Sequence, residues 1–318
     1  MSQRGWALAP DGRPRPDAPF GRGPFAARML ARVIDGAAWA GSRLPAGVTH
    51  TLATAGGNVE WAVRRRKRRR LAANLSHALG RPAAHAAVRA IVRREMVNEA
   101  RRSADLLWAL GRRDEFRRTT PIEGVEHIEA ALASGHGMIL AGIHLGGWEL
   151  ATSLPGVVIP VPTTAIVADD WLAWAIEHLR HAGGMRTLYR SDSALGAARI
   201  LRRGECLLVL GDDGWGDQPR TYPVSFLDGW AELPAGIVSL SRLCSAPIVC
   251  FYVLPARPRR WRVELDPPVA PPGRHGGEEA ERTVLQQLAT RWTEVIQAHP
   301  DHWAAVYKVR WLDARADA

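Results

Sequence analysis

Apolar positions recur at helical spacing through Phe25, Met29, Leu30, Val33 and Ile34, and Ala37 and Trp39 carry the stripe on. Arg28, Arg32 and Arg43 are interspersed. The pattern predicts an amphipathic helix with a cationic edge and an aromatic anchor, suited either to packing on its own domain or to lying on a membrane. Residues 83–110, and the chain on to Arg118, read as helical and basic. Beyond residue 120 the pattern changes. A short helix over 125–133 ends at Ser134-Gly135. Residues 137–143 form an apolar run bounded by glycines, which predicts a buried strand. Residues 206–210 and 247–253 read the same way. Residues 157–159 and 164–167 are candidate strands, and 261–265 alternates as an edge strand does. Further helices are predicted over 170–182, 194–203, 234–243 and 278–298. Strands alternating with helices predict an α/β fold, with a mostly parallel central sheet flanked by helices behind a helical, basic N-terminal region. Residues 1–24 are expected to be a disordered tail. Residues 25–120 and the α/β body over 121–318 are expected to form one continuous domain.

Composition changes this picture little. The chain has 318 residues, 47% hydrophobic and 23% charged, which excludes wholesale disorder. Cys206, Cys244 and Cys250 lack metal-ligand spacing, cannot build a disulfide framework and read as core residues. Residues 1–24 are rich in Arg, Pro and Gly and lack the apolar stretch of a secretory signal. The longest uncharged runs are broken by prolines or are rich in glycine, so no spanning helix is predicted.

Charge says more. The net charge is +10, yet residues 58–120 alone hold 17 Lys/Arg against 6 Asp/Glu. The extreme is the unbroken run Arg64, Arg65, Arg66, Lys67, Arg68, Arg69 and Arg70. A basic segment beside a near-neutral body fits a large polyanionic partner: an anionic membrane surface, a nucleic acid or an acidic carrier protein.

The candidate chemistry lies at His144-Leu145-Gly146-Gly147-Trp148-Glu149, directly after a predicted buried strand. Active sites of open α/β sheets lie outside the carboxyl ends of strands. Histidine is the usual general base near neutral pH, and a carboxylate can fix its tautomer. On a regular helix, residues five apart diverge by about 140°. His144 and Glu149 therefore meet only if His144 sits in the turn and Glu149 in the first helical turn, a backbone that Gly146-Gly147 permits. Such a helix start would also offer N–H donors to a reacting group. The alternative is a capped helix with an incidental histidine. Asp212 and Asp213 follow a second buried strand, either as a turn or helix cap or as acids that replace or supplement Glu149 beside His144.

Residues 134–150 resemble the first motif of the bacterial lipid A biosynthesis acyltransferase family, a branch of the glycerolipid acyltransferases marked by a histidine, four residues and an acid. The resemblance continues in order through Arg70-Leu71-Ala72-Ala73-Asn74-Leu75, through residues 201–206 with Gly211-Asp212-Asp213, through residues 224–248, and to His299-Pro300-Asp301-His302-Trp303. It covers roughly residues 25–312. Gly147 stands where the family usually has Asn, Asp213 where it has Gln, and Phe226-Leu227-Asp228-Gly229 where it has Phe-Phe-Gly. Phosphatidylinositol mannoside acyltransferases, relatives in this family, show similar drift.

The resemblance implies acyl transfer from a thioester, acyl-CoA or acyl carrier protein (acyl-ACP), to a hydroxyl of a lipid A-type, phosphatidylinositol mannoside-type or other glycolipid or phospholipid acceptor, with no cofactor and no metal. It implies His144 as base and Glu149 as its partner, with Gly146, Gly147 and Trp148 beside the substrate. The chain shows no Gly-x-Ser-x-Gly elbow, and a thioester needs no covalent enzyme intermediate. Arg180 and Arg190 are candidates for holding phosphate or the oxyanion, the alternative being solvated surface arginines. The expected setting is the cytoplasmic face of the inner (plasma) membrane, with the protein lying on it peripherally or monotopically through the 64–70 run and the 25–39 helix. A metal-dependent hydrolase finds no His-Glu-x-x-His spacing, and a nucleic-acid binder finds no recognition module, so no nucleic-acid partner is expected.

Overall fold

The structure, a computed structural model, describes residues 24–153, 159–168, 173, 177–190, 193–212, 220–305 and 309–312. The expected tail therefore lies almost wholly outside the described residues, as do Val157, Val158, Asp213 and most of residues 170–176 in the helix expected over 170–182.

The N-terminal region is helical: α1 (Pro24–Gly41), α2 (Ala46–Val63), α3 (Arg65–Leu79), α4 (Ala86–Gly111) and α5 (Arg113–Thr119). Helix α2 was not anticipated. Its sequence is rich in small residues, with Gly47, Gly56 and Gly57 diluting any periodic signal. One of these glycines has a packing reason: a Cβ on Gly57 would lie 2.7 Å from Val97 Cα, so the close approach of α2 to α4 requires its absence.

The body contains β1 (Ile122–Glu123), α6 (Val125–Leu132), β2 (Met138–Gly142), β3 (Thr163–Val167), α7 (Glu177–Ala182), β4 (Met185–Tyr189), α8 (Ser193–Arg202), β5 (Cys206–Leu210), β6 (Thr221–Ser225), β7 (Trp230–Pro234), α9 (Gly236–Cys244), β8 (Ile248–Arg257), β9 (Arg260–Leu265), α10 (Gly277–Ala298) and β10 (Arg310–Leu312). Seven strands form one sheet in the order β1-β9-β8-β2-β5-β3-β4. Strands β8, β2, β5, β3 and β4 run parallel, and β9 is antiparallel to β8. The expected mostly parallel sheet is thus present. Strand β9 is not quite an edge, because the two residues of β1 cover it. The unanticipated β4 is the opposite edge. A separate three-stranded sheet, β10-β7-β6, includes a β6–β7 hairpin that was not anticipated.

Alternation along β2 divides the core. Ile139, Ala141 and Ile143 join Leu71, Leu75, Val92, Met96, Leu288 and Trp292 on one face. Met138 and Leu140 join Trp108, Phe116, Ile128, Phe251 and Trp261 on the other. Helix α4 contributes to both clusters, Val88 to Met96 on the first and Trp108 and Ala109 on the second. Its middle turns therefore cross from one layer to the other, against the short 3₁₀ segments Trp148–Ser153 and Pro300–His302. All three cysteines are buried and free, as a core role requires.

The basic run departs from expectation. Arg64 joins α2 to α3, and the six helical residues 65–70 sweep through more than one and a half turns, so some must face inward. Lys67, its side chain only 12% exposed, pairs with Glu60 and Glu99. Arg68 donates to the carbonyls of Trp61 and Ala62 and stacks over the Trp61 ring. Arg64 reaches Glu60. Arg65, Arg66, Arg69 and Arg70 stay exposed. The run is thus part clamp and part surface, rather than seven cations facing one partner.

Candidate active site

Strands β2 and β5 pair in parallel with a constant register, from Met138 opposite Cys206 to Gly142 opposite Leu210. Two residues further on, the same register places His144 opposite Asp212, at the carboxyl end of the central strands. There the Asp212 carboxylate accepts from Nδ1 of His144 at 2.8 Å and from the His144 backbone N–H at 3.0 and 3.1 Å. Trp303 Nε1 donates to its other oxygen at 2.9 Å. Asp212 is 1% exposed. Burial raises its carboxyl, but the charge and hydrogen bonds of His144, with the Trp303 indole, outweigh this and hold it below the ordinary carboxylate range. A carboxylate fixed on Nδ1 sets the tautomer, so any proton exchanged with a substrate passes through Nε2.

The hydrogen-bonding partner on Nδ1 is thus Asp212, not Glu149, to which the sequence had assigned that place. Parallel register explains the choice: adjacent strand ends meet side by side, while Glu149 sits five residues along the same chain. Glu149 does occupy the first turn of the 3₁₀ segment Trp148–Ser153, as the spacing required. Its dense surroundings push its carboxyl up, opposed by the Arg102 charge, its own backbone N–H and His144. Glu149 is therefore within electrostatic reach of the imidazole.

The glycine turn serves packing more than donation. Gly146 has φ +62°, and a Cβ there would overlap the carbonyl oxygen of Val253. Its N–H donates to the His302 carbonyl at 2.9 Å, and that of Gly147 to the Val253 carbonyl at 2.8 Å. Ala304 N–H donates to the His144 carbonyl at 2.7 Å. The turn is zipped between β8 and residues 302–304. The N–H groups of Gly146 and Gly147 are committed to this zipper. Trp148 is well placed: its ring meets the His144 ring edge-on, centroids 5.3 Å apart.

A cationic residue that sequence reasoning passed over lies next to it. Arg102, 4% exposed, holds its guanidinium 5.3 Å from the Trp148 ring centroid. Its Nη2 donates to Glu95 Oε1 at 3.3 Å. Among the described residues, Arg102 Nη1 and Glu95 Oε2 have no hydrogen-bond partner. Only the i, i+7 spacing of Glu95 and Arg102 signalled a shared face, and it was lost among the many charges of α4. Arg180 donates to the Ala173 carbonyl at 2.8 Å. Arg190 follows β4, three strands from β2, or roughly 14 Å at the usual strand spacing. Asp213 is outside the described residues. Among the described residues, no cluster of three or more His, Cys, Asp or Glu side chains is arranged to hold a metal ion.

A family model described as bacterial lipid A biosynthesis acyltransferase matches residues 29–312. No curated protein gives a match. Among solved structures, the chain is similar to the crystal structure of the 1-acyl-sn-glycerophosphate (LPA) acyltransferase, PlsC, from Thermotoga maritima. The identity is 15%, over 66% of this chain and 88% of that one, with a TM-score of 0.34.

Proposed function

Because the chain belongs to the bacterial lipid A biosynthesis acyltransferase family, it is an acyltransferase, and we propose that it moves a fatty acyl group from an acyl thioester, acyl-CoA or acyl-ACP, to a hydroxyl of a glycolipid or phospholipid. The observation that carries this reading is the His144–Asp212–Trp303 network at the carboxyl ends of β2 and β5. His144 Nε2 takes the proton of the acceptor hydroxyl as its oxygen attacks the thioester carbonyl carbon. The C–S bond then breaks, and the imidazolium returns the proton to the departing thiolate. Asp212 holds the ring and, with Glu149, offsets the positive charge it acquires. No cofactor beyond the acyl thioester enters these steps.

The lipid acceptor requires contact with a bilayer surface. Among the described residues, no helix is long and apolar enough to cross a membrane. Of the ten large apolar side chains that stand out as exposed there, eight lie between Met29 and Val63. Val48, Leu52, Val59 and Val63 fall within about 60° of one another around α2, at 100° per residue. This stripe, with Met29, Val33 and Trp39 of α1 and the exposed arginines of α3, supports peripheral association with an anionic leaflet. The carrier protein, if it is the donor, would meet the same basic surface.

Purified enzyme supplied with acyl-CoA or acyl-ACP and a lipid extract, followed by mass spectrometry, tests the reading. A new acylated lipid should form with wild type and vanish with His144→Ala. Transfer undiminished in His144→Ala removes the mechanism. For the surface, replacing Val48, Leu52, Val59 and Val63 by Ser should weaken pelleting with anionic vesicles at both low and high salt, and unchanged pelleting refutes it.

A further inference from the structure

The Glu95–Arg102 pair is a buried ion pair that the steps above leave unused. A guanidinium at 4% exposure with Nη1 unpartnered, beside a carboxylate at 1% exposure with Oε2 unpartnered, is costly in a protein interior. Their single contact, at 3.3 Å, is long for a charge-assisted bond and engages one oxygen only. The guanidinium is therefore only half claimed by the carboxylate on its own helix. Another neighbour belongs to the candidate site. The guanidinium lies over the Trp148 ring, and Trp148 lies edge-on to His144.

We propose, resting on the acyltransferase reading, that Arg102 is a positioning residue: half claimed by Glu95 and lying over the ring of Trp148, the residue before Glu149, it keeps Glu149 anionic beside His144, so that the imidazolium formed during transfer meets a standing negative charge. Glu149 needs such help. Its surroundings favour the neutral acid, and the Arg102 charge is the largest influence opposing them. Asp212 fixes the ring through Nδ1 but is shared with Trp303 and the His144 N–H. A second carboxylate held ionised would add charge stabilisation without competing for that hydrogen bond.

The other titratable groups around this pair come from every packed element. Lys67 lies on α3, and Glu99 and Arg101 on α4. His299, Asp301 and His302 come from the stretch after α10, and His144 and Asp212 from the strand ends. Burial pushes His302 down to about 4, so it is neutral near pH 7 and adds no charge. Glu95 is pushed up to about 7, mainly by burial. Near neutrality it thus claims Arg102 incompletely and leaves the cation to act on Glu149.

Two measurements test this. One is a carboxyl carbon NMR titration of Glu149 in glutamate-labelled full-length protein, its resonance assigned by loss in Glu149→Gln. The other is the pH profile of kcat. Arg102→Met should raise the Glu149 titration midpoint and the acid limb of kcat together, by about one pH unit or more, as expected when an opposite charge is lost. Below the limb the rate should then fall about tenfold for every pH unit by which the midpoint rises. Arg102→Lys should restore most of both. Arg102→Gln serves if Met is not accommodated. A Glu149 midpoint unmoved in a folded Arg102 variant overturns the proposal, as does a rate loss equal at all pH values. The titration needs no turnover. If wild type transfers no acyl group but the midpoint still follows Arg102, the electrostatic proposal stands and the acyltransferase reading falls.

Discussion

Two places in the molecule are wired almost identically. At the strand ends, Asp212 accepts from a histidine ring nitrogen, a backbone N–H and the Trp303 indole. Between α2, α4 and β9, Asp105 accepts from His50 Nε2 at 2.6 Å, the Arg259 backbone N–H at 3.2 Å and the Trp261 indole at 3.1 Å. Both aspartates and both tryptophans are buried. The difference lies in which nitrogen is engaged. His144 gives Nδ1, the atom nearest its own backbone, and so keeps the ring-tip Nε2 for the proton transfer proposed above. His50 gives the tip itself and retains only the nitrogen crowded by its own helix. The backbone donors differ too. The His144 N–H fixes its own ring's partner, whereas the Arg259 N–H ties in a β-turn. Arg259 also donates to the carbonyls of Gly41 and Leu44 and to Thr49 Oγ1. The second trio therefore fastens α1 and α2 to the body. One wiring diagram yields a base or a rivet according to the nitrogen used.

The sharpest break in this parallel is His144→Ala or Asp212→Ala. Each should cut transfer per folded molecule by about 10²–10⁴-fold, since loss of a general base or its orienter carries that cost. Asp212→Ala should lower stability as well, because it strands the buried Trp303 indole and the His144 N–H. Asp105→Ala should lower stability alone. Removing one member of a buried pair costs about 3–5 kcal/mol, so denaturant unfolding should shift strongly while the rate per folded molecule holds. If Asp105→Ala abolished transfer in a fully folded protein, the two trios would not be separable.

The smallest expected effect concerns α4, which carries Asp105 of one trio and, three residues earlier, the Arg102 that faces the other. Glu95 on the same helix has its carboxyl raised to about 7 from an ordinary value near 4.5. Between those values the folded state binds the extra proton and stability falls as pH rises. Glu95→Gln removes this dependence. It should leave stability unchanged below about pH 4.5 and raise it by about 1–3 kcal/mol above pH 7, as a rise of that size implies. Urea unfolding at pH 4 and pH 8 measures it, and an equal change at both values would contradict it.

The sequence made the sheet and the central motif readable because β2, β5 and β8 are short apolar runs, a signal that survives without context. His144, Glu149 and Asp212 were all identified from it. What it hid was pairing. Which carboxylate meets His144 follows from strand register, and nothing local in residues 144–149 encodes the partner 68 positions away. Helix α2 was hidden for another reason: its glycines and small residues look like a loop until Val97 is seen to need the space. Arg102 and Lys67 were hidden by abundance. In a helical region so rich in arginine, spacing alone cannot pick out the few cations that turn inward.

The zipper that holds the glycine turn carries a further consequence, one of timing. His144 must find Asp212 across 68 residues and Asp212 must find Trp303 across 91, while Asn74 donates to the Ala305 carbonyl across 231. Contacts so far apart in sequence close slowly, because their loop entropy is lost before the contacts compensate for it. Helices such as α4 and α10 need no such closure. A chain diluted out of denaturant should therefore regain its helical circular dichroism well before its transferase activity. Half-folded molecules, with those helices already formed, would pass through a stage at which they look helical to the spectrometer but transfer nothing.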